Sequence, residues 1–195
     1  MKVLQQKIIL ASKSPRRRQL LEQAGFHFEV KTQDTPEDYP ANLPVEKVAP
    51  YLAEKKAVAS ASLVGEGEVL LTADSVVILN GKIYEKPQDR ADAQRILREL
   101  SGQKHRVITG VCLMNKAAKR VFSGISDVQF DVLTAEEIDH YVDTYRPYDK
   151  AGSYAIQEWI GLCKISKIEG TYANIMGLPV DLVYRELQAL LSLEK

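Results

Sequence analysis

The sequence is poor in the residues that most often announce a chemistry. It has two cysteines and three histidines in 195 residues. Neither C-x-x-C nor H-E-x-x-H spacing occurs, which argues against a zinc centre and against a disulfide framework. Cys112 and Cys163 lie in apolar stretches and are expected as reduced, buried thiols. The glycine-rich phosphate motifs are missing too: there is no G-x-x-x-x-G-K-[ST], and no G-x-G-x-x-G after a strand. A G-x-S-x-G elbow is likewise absent. No long apolar run exists, and Lys2, Lys7 and Lys13 interrupt the short one at the start. Neither a signal peptide nor a membrane span is therefore expected, and the expected location is cytoplasmic. Excess charge of either sign is lacking as well, with 26 Lys+Arg against 26 Asp+Glu. Nothing in that balance asks for a nucleic-acid polymer or an anionic membrane, so any basic site must be local.

What is present reads as mixed α/β, with no repeat, low-complexity linker or clear domain boundary. The length suits one domain spanning 1–195, able to bury a sizeable core. Lys7 to Leu10 is an apolar strand pattern. It runs into Ser14, a good N-cap, then Pro15 at the first helical position, with Leu20, Leu21 and Ala24 at helical spacing. Gly25 closes that helix. Phe26 to Lys31 forms a short strand before an acidic loop, Asp34 to Pro40. A helix follows through Leu52 and Lys55 to Val58, and Pro50 should mark its start or kink it. Val69 to Ala73 is apolar enough for a strand covered on both faces. Val76–Leu79 and Lys82–Tyr84 flank Asn80-Gly81, a type I′ hairpin signal. Further helices are expected from Asp89 to Leu100, from the Thr134/Glu137 capping box to Arg146-Pro147, and from Pro179 to Leu191. Val107–Met114 and Arg120–Val132 form a second hairpin.

Three arginines, Arg16, Arg17 and Arg18, crowd a first helical turn, where cations are electrostatically unfavourable. Either they splay into water, or they gather positive potential for an anion such as phosphate. Asp74 stands directly after the strand Val69–Ala73, at the end where α/β sheets place ligands. A carboxylate there can hold a divalent metal, take a proton from water, or simply end a strand. Lys86 before Pro87, and Lys55 and Lys56 on a helix, are solvated cations or phosphate contacts. Without a glycine-rich loop, any bound phosphate must be held by serine, arginine and lysine side chains and a helix N-terminus.

The set Ala11-Ser12-Lys13-Ser14-Pro15-Arg16-Arg17, Ala73-Asp74-Ser75-Val76-Val77, Glu85-Lys86-Pro87, His105 to Gly110, Asp149 to Gln157 and Gly177-Leu178-Pro179 strongly resembles the Maf family of nucleoside triphosphate pyrophosphatases. The motifs follow in order from residue 8 to residue 180. The resemblance implies an elongated mixed-sheet α/β fold similar to inosine triphosphatases, with two lobes and a central cleft. It also implies hydrolysis of a nucleoside triphosphate to the monophosphate and pyrophosphate with a divalent metal, Mg²⁺ or Mn²⁺. The branch with Gln at the end of the A-G-x-Y-x-x-Q motif prefers dTTP and UTP; a sister branch with Glu there prefers 7-methyl-GTP. Family members are also linked to inhibition of septum formation and division arrest, so a nucleotide-binding regulator without catalysis is the alternative.

On this resemblance Asp74 is the general base or a metal ligand, and Glu37 a second metal carboxylate. Ser12, Arg16, Lys56 and Lys86 embrace the triphosphate, with Arg17 assisting or braced against the protein. Arg16, Ser75 and Gln157 set base specificity. Uracil and thymine offer an O4 acceptor beside an N3–H donor, and one side-chain amide satisfies both. Ser75 stands where the pyrimidine branch often has Thr, keeping the hydroxyl but losing a methyl. His105 is expected as a scaffold histidine. A symmetric dimer is the commonest assembly for a soluble protein of this kind.

Overall fold

The structure, a computed structural model, describes residues 1–192. Seven strands pair in the order β2-β1-β3-β5-β6-β7, with β4 attached to β3. Here β1 is Ile8–Leu10, β2 Phe28–Val30, β3 Val69–Leu79, β4 Lys82–Tyr84, β5 Lys104–Met114, β6 Lys119–Phe130 and β7 Ile165–Glu169. By contact density the chain divides into two compact units. One holds Met1–Asp74, Thr109–Gly124 and Gly177 onward; the other holds Ser75–Ile108 and Ile125–Met176.

In the first unit β1 is fully buried and lies parallel to both β2 and the start of β3. A short helix α1 (Lys2–Gln5) precedes it. Helix α2 (Pro15–Gln23) starts as its sequence dictates: Ser14 caps it by accepting from the Arg17 amide, and Gly25 takes a left-handed φ of 74°. Helix α3 (Val45–Ala59) buries Ala53 and Ala57 against Ile9, Leu70 and Cys112. Pro50 neither starts nor ends α3; the helix runs five residues ahead of it and on to Ala59. Across the interface from Pro50 stands Gly110 of β5. A Cβ on Gly110 would overlap the backbone of Ala49 and Pro50. Helix and strand backbones touch here. A late helix α8 (Val180–Ser192) buries Val183, Leu187 and Leu190.

The second unit is built on the far part of β3. Asn80 and Gly81 both have positive φ, 51° and 74°, the signature of a type I′ turn, and β4 folds back antiparallel on Val77–Leu79. Helices α4 (Arg90–Leu100) and α5 (Ala135–Tyr145) cover one apolar cluster, which includes Leu97, Leu100, Phe130, Ile138 and Tyr141. The capping box of Thr134 and Glu137 forms at the start of α5, and Arg146 ends it in the left-handed region. Three short elements carry no periodicity that foretells them: α6 (Trp159–Cys163), β7 and α7 (Tyr172–Met176).

Two expectations need correction. The strand carrying Asp74 does not stop at Ala73 but continues unbroken to Leu79. What ends there is its partner: the pairing with β1 finishes at Leu10↔Leu71, and beyond it Arg17 rather than a strand meets the Ala73 carbonyl. Cys112 is buried as expected, and burial pushes its thiol up to about 12. Cys163 is exposed, because the C-terminal turn of α6 faces outward with Leu162. Both thiols are free.

Candidate active site

The first unit gathers six of the expected site residues: Ser12, Arg16, Arg17, Glu37, Lys56 and Asp74. Their placement follows from three local anchors. Thr72, fully buried on β3, donates from its hydroxyl to the Ala53 carbonyl of α3 at 2.6 Å. That bond fixes the register of α3 against β3, three residues before Lys56 and two before Asp74. The Lys56 ammonium then reaches Asp74 Oδ1 at 2.5 Å. It also reaches Glu37 Oε1 at 2.7 Å. Asp74 is 9% exposed, whereas the Glu37 side chain is half exposed on its loop.

The acidic loop is strapped at either side of Glu37. Lys55 donates to the Asp38 carboxylate at 2.7 Å, and Lys13 to Asp34 at 2.5 Å. The hydrogen bond from Lys55, helped by a backbone hydrogen bond and by the charge of Lys55, holds the Asp38 carboxyl below its ordinary range. Adjacent lysines on α3 thus do different jobs: Lys55 ties down the loop, and Lys56 joins the loop carboxylate to the strand carboxylate.

Arg17 is the second anchor and is a brace. Its Nε donates to the Gly177 carbonyl at 2.8 Å, and its Nη1 donates to the Ala73 carbonyl at 2.8 Å and to Ser12 Oγ at 3.2 Å. One planar guanidinium therefore ties the start of α2 to the peptide just before Asp74 and to the turn before α8. Desolvation pulls Arg17 below the usual arginine value, its neighbour Arg16 adds to that, and the charges of Asp74 and Glu37 oppose it. Arg16, half-buried one position earlier in the helix, is close enough to exert that effect.

Ser12 is the third anchor. Its oxygen accepts from the Ser14 amide at 3.2 Å and from Arg17. A hydroxyl has two acceptor positions and one proton. With both acceptors taken, Ser12 has its proton left to donate. Ser12 and Arg16 thus stand at the positive end of α2, an end that favours negative charge.

Among the described residues, no group of three or more His, Cys, Asp or Glu side chains stands ready to hold a metal ion by itself. Two carboxylates converging on one positive centre are nevertheless what Mg²⁺ uses when phosphate oxygens and water complete its shell. The donor set of Glu37 and Asp74 fits such an ion.

The second unit holds Ser75, Lys86 and Gln157. Lys86 is exposed beside the buried Pro87, and Ser75 is the one incompletely buried residue of β3. Gln157 lies on the loop between the 3₁₀ turn at Ala151–Ser153 and α6, and its Oε1 is buried with no hydrogen-bond partner among the described residues. An unmatched buried acceptor is costly and calls for a donor from outside the described residues. His105 takes a structural role. It is 2% exposed, packs edge-on against Phe130 and Tyr154, and bonds Tyr154 Oη through Nε2 at 2.7 Å. Burial pushes it down to about 4, so it is neutral at physiological pH.

Sequence reasoning missed the polar network behind Gln157, formed by Tyr141, Lys150 and Glu158. Tyr141 reads as one more core aromatic on the apolar face of α5, and nothing in its spacing reveals a hydroxyl partner.

A family model described as Maf-like protein matches residues 7–190. A Porphyromonas gingivalis protein named dTTP/UTP pyrophosphatase is 53% identical over 185 residues, covering 93% of this chain and 93% of its own. A Bacteroides fragilis protein of the same name is 48% identical over 185 residues, covering 94% and 96%. Among solved structures, the Staphylococcus aureus Ham1 protein matches with a TM-score of 0.47 and 16% identity, over 64% of this chain and 71% of that one. With the family model spanning nearly the whole chain and relatives this similar over their full length, the chain belongs to the Maf-like protein family.

Proposed function

We propose that this protein is a nucleoside triphosphate pyrophosphatase that hydrolyses dTTP and UTP to the monophosphate and pyrophosphate. The observation that carries the reading is the joined pair of carboxylates, Asp74 and Glu37, on one lysine, beside a cationic helix start whose serine is poised to donate. The printed names of the relatives support the same reading.

The chemistry follows from those groups. Asp74 accepts Lys56 at Oδ1 and uses Oδ2 to take a proton from the attacking water. Ser12 and Arg16 bind and orient phosphoryl oxygens, and Lys56 and Lys86 neutralise charge as the pyrophosphate departs. Arg17 holds the Ala73–Asp74 peptide and Ser12 in one frame, so it acts by positioning. A divalent cation, Mg²⁺ or Mn²⁺, held by Glu37 and Asp74 would supply charge stabilisation for the phosphates. Gln157 accepts the N3–H of a uracil or thymine at Oε1 and donates from Nε2 to O4. Its unmatched Oε1 supports that role. Cytosine reverses both groups, with a ring acceptor and an amino donor.

The test is to incubate purified protein with Mg²⁺ or Mn²⁺ and a panel of nucleotides and to identify the products. UMP with pyrophosphate from UTP is expected. Bound but intact nucleotide would favour a regulator of division, and inorganic phosphate as the sole product would overturn the assignment.

A further inference from the structure

The segment that carries Gln157 is held at Ala155 and at Glu158 by one phenol. The Ala155 amide donates to Tyr141 Oη at 3.1 Å, and the same oxygen donates its proton to the Glu158 carboxylate. Glu158 in turn faces Lys150 Nζ at 3.4 Å, and that ammonium, 8% exposed as a residue, also binds Asp149 at 2.8 Å. Tyr141 is itself immobile: it is fully buried in the second unit's core and stacked on Tyr145 at 5.0 Å between centroids. Burial, with the Glu158 bond, pushes the phenol well above its ordinary value, so it remains a donor throughout the working range of pH. The backbone between the two grips cannot slide, because Gly161 of α6 rests directly on the Ile156 carbonyl and a Cβ there would overlap it. A side chain carried on a segment that is bonded at two points to one rigid group presents itself to a ligand from a fixed backbone, which lowers the ordering cost of binding.

We infer that Tyr141, acting through Ala155 and Glu158, is a positioning residue that fixes Gln157 and so sets base selectivity. The inference rests on the base-reading role given to Gln157 above. Tyr141 does not touch the nucleotide. Its removal should loosen recognition of the base while leaving the phosphate chemistry intact.

The experiment compares steady-state hydrolysis of UTP and CTP by Tyr141→Phe, Glu158→Leu, Glu158→Gln, Gln157→Ala and the double variant Tyr141→Phe/Gln157→Ala. Gln157→Ala is expected to cut the UTP-over-CTP preference by at least ~10-fold, about one hydrogen bond's worth of discrimination. Tyr141→Phe and Glu158→Leu should give losses of the same order, expressed in KM for UTP, with kcat at saturation within about threefold. Glu158→Gln keeps an acceptor for the phenol and should retain the preference. The double variant should lose no more than Gln157→Ala alone. If Gln157→Ala leaves the preference intact, the base-reading role fails and the inference falls with it. If Gln157→Ala relaxes it while Tyr141→Phe and Glu158→Leu do not, the base reader stands and the inference alone is wrong. Equal loss of kcat on both nucleotides in Tyr141→Phe would also overturn it. Should that variant fold poorly in circular dichroism, Glu158→Leu carries the test.

Discussion

Lys56 stands between two acids, 2.5 Å from Asp74 and 2.7 Å from Glu37, so a helix cation binds a strand carboxylate to a loop carboxylate. The isosteric change Asp74→Asn keeps the shape and removes the proton acceptor. It should leave thermal stability near that of the parent and lower turnover at least ~100-fold. Pyrophosphate release measured on the folded variant checks this; a rate close to the parent's would take Asp74 out of the chemistry.

Adjacent arginines should respond oppositely. Arg17→Lys replaces a three-pronged brace by a point charge, leaving the Ala73 and Gly177 carbonyls and Ser12 short of donors. A cost of about 2–3 kcal/mol is expected, read as a lower urea midpoint. Arg16→Lys should hold stability within about 0.5 kcal/mol and instead raise KM for UTP. Identical behaviour of the two variants would contradict the division of labour.

Gly110→Ala should be among the most damaging single methyl additions in the chain. The new Cβ would overlap the backbone of Ala49 and Pro50, which cannot rotate away as a side chain would. Separation of α3 from β5 should cost about 3 kcal/mol or more and disturb Lys56 along with it. Urea unfolding with an unchanged midpoint would refute the contact.

His105 predicts a particular pH dependence of stability. Its folded-state value near 4 lies below the ~6.5 of an exposed histidine. Between those values the unfolded chain binds a proton that the folded chain refuses. This contribution is therefore complete above about pH 6.5 and is lost as pH falls toward 4, with a slope of up to ~1.4 kcal/mol per pH unit. His105→Leu should flatten that slope in unfolding measured at pH 7, 6 and 5. Parallel slopes in parent and variant would show that the proton binds elsewhere.

Local chemistry was the legible part of this chain. The Ser14-Pro15 helix start, the Asn80-Gly81 turn and the Thr134/Glu137 box each depend on residues within a few positions, and all three form as read. Pro50 does not start α3, because Val48 and Ala49 ahead of it are buried on the same helix. The strand through Asp74 was misread as ending because apolar runs report burial, whereas what stops short of Asp74 is the pairing with β1. For the site, motif resemblance singled out the residue types. It could not tell that Arg17 spends its donors on the protein, or that Lys55 and Lys56 bind different acids of one loop. The Tyr141 grip was invisible for a similar reason: a phenol oxygen finds its partners through tertiary placement, and helical spacing records only the ring.

Two of the partners of β3, β1 and β4, also bear on how the protein is made. Its far end pairs with β4 across a two-residue turn, a closure on the microsecond scale, whereas its near end must find β1 across a long stretch of chain. Asp74 lies just past that distant pairing. A nascent chain can thus complete the β3–β4 hairpin well before its acid is framed by β1 and α3, and hydrolytic competence should arrive among the last events of maturation.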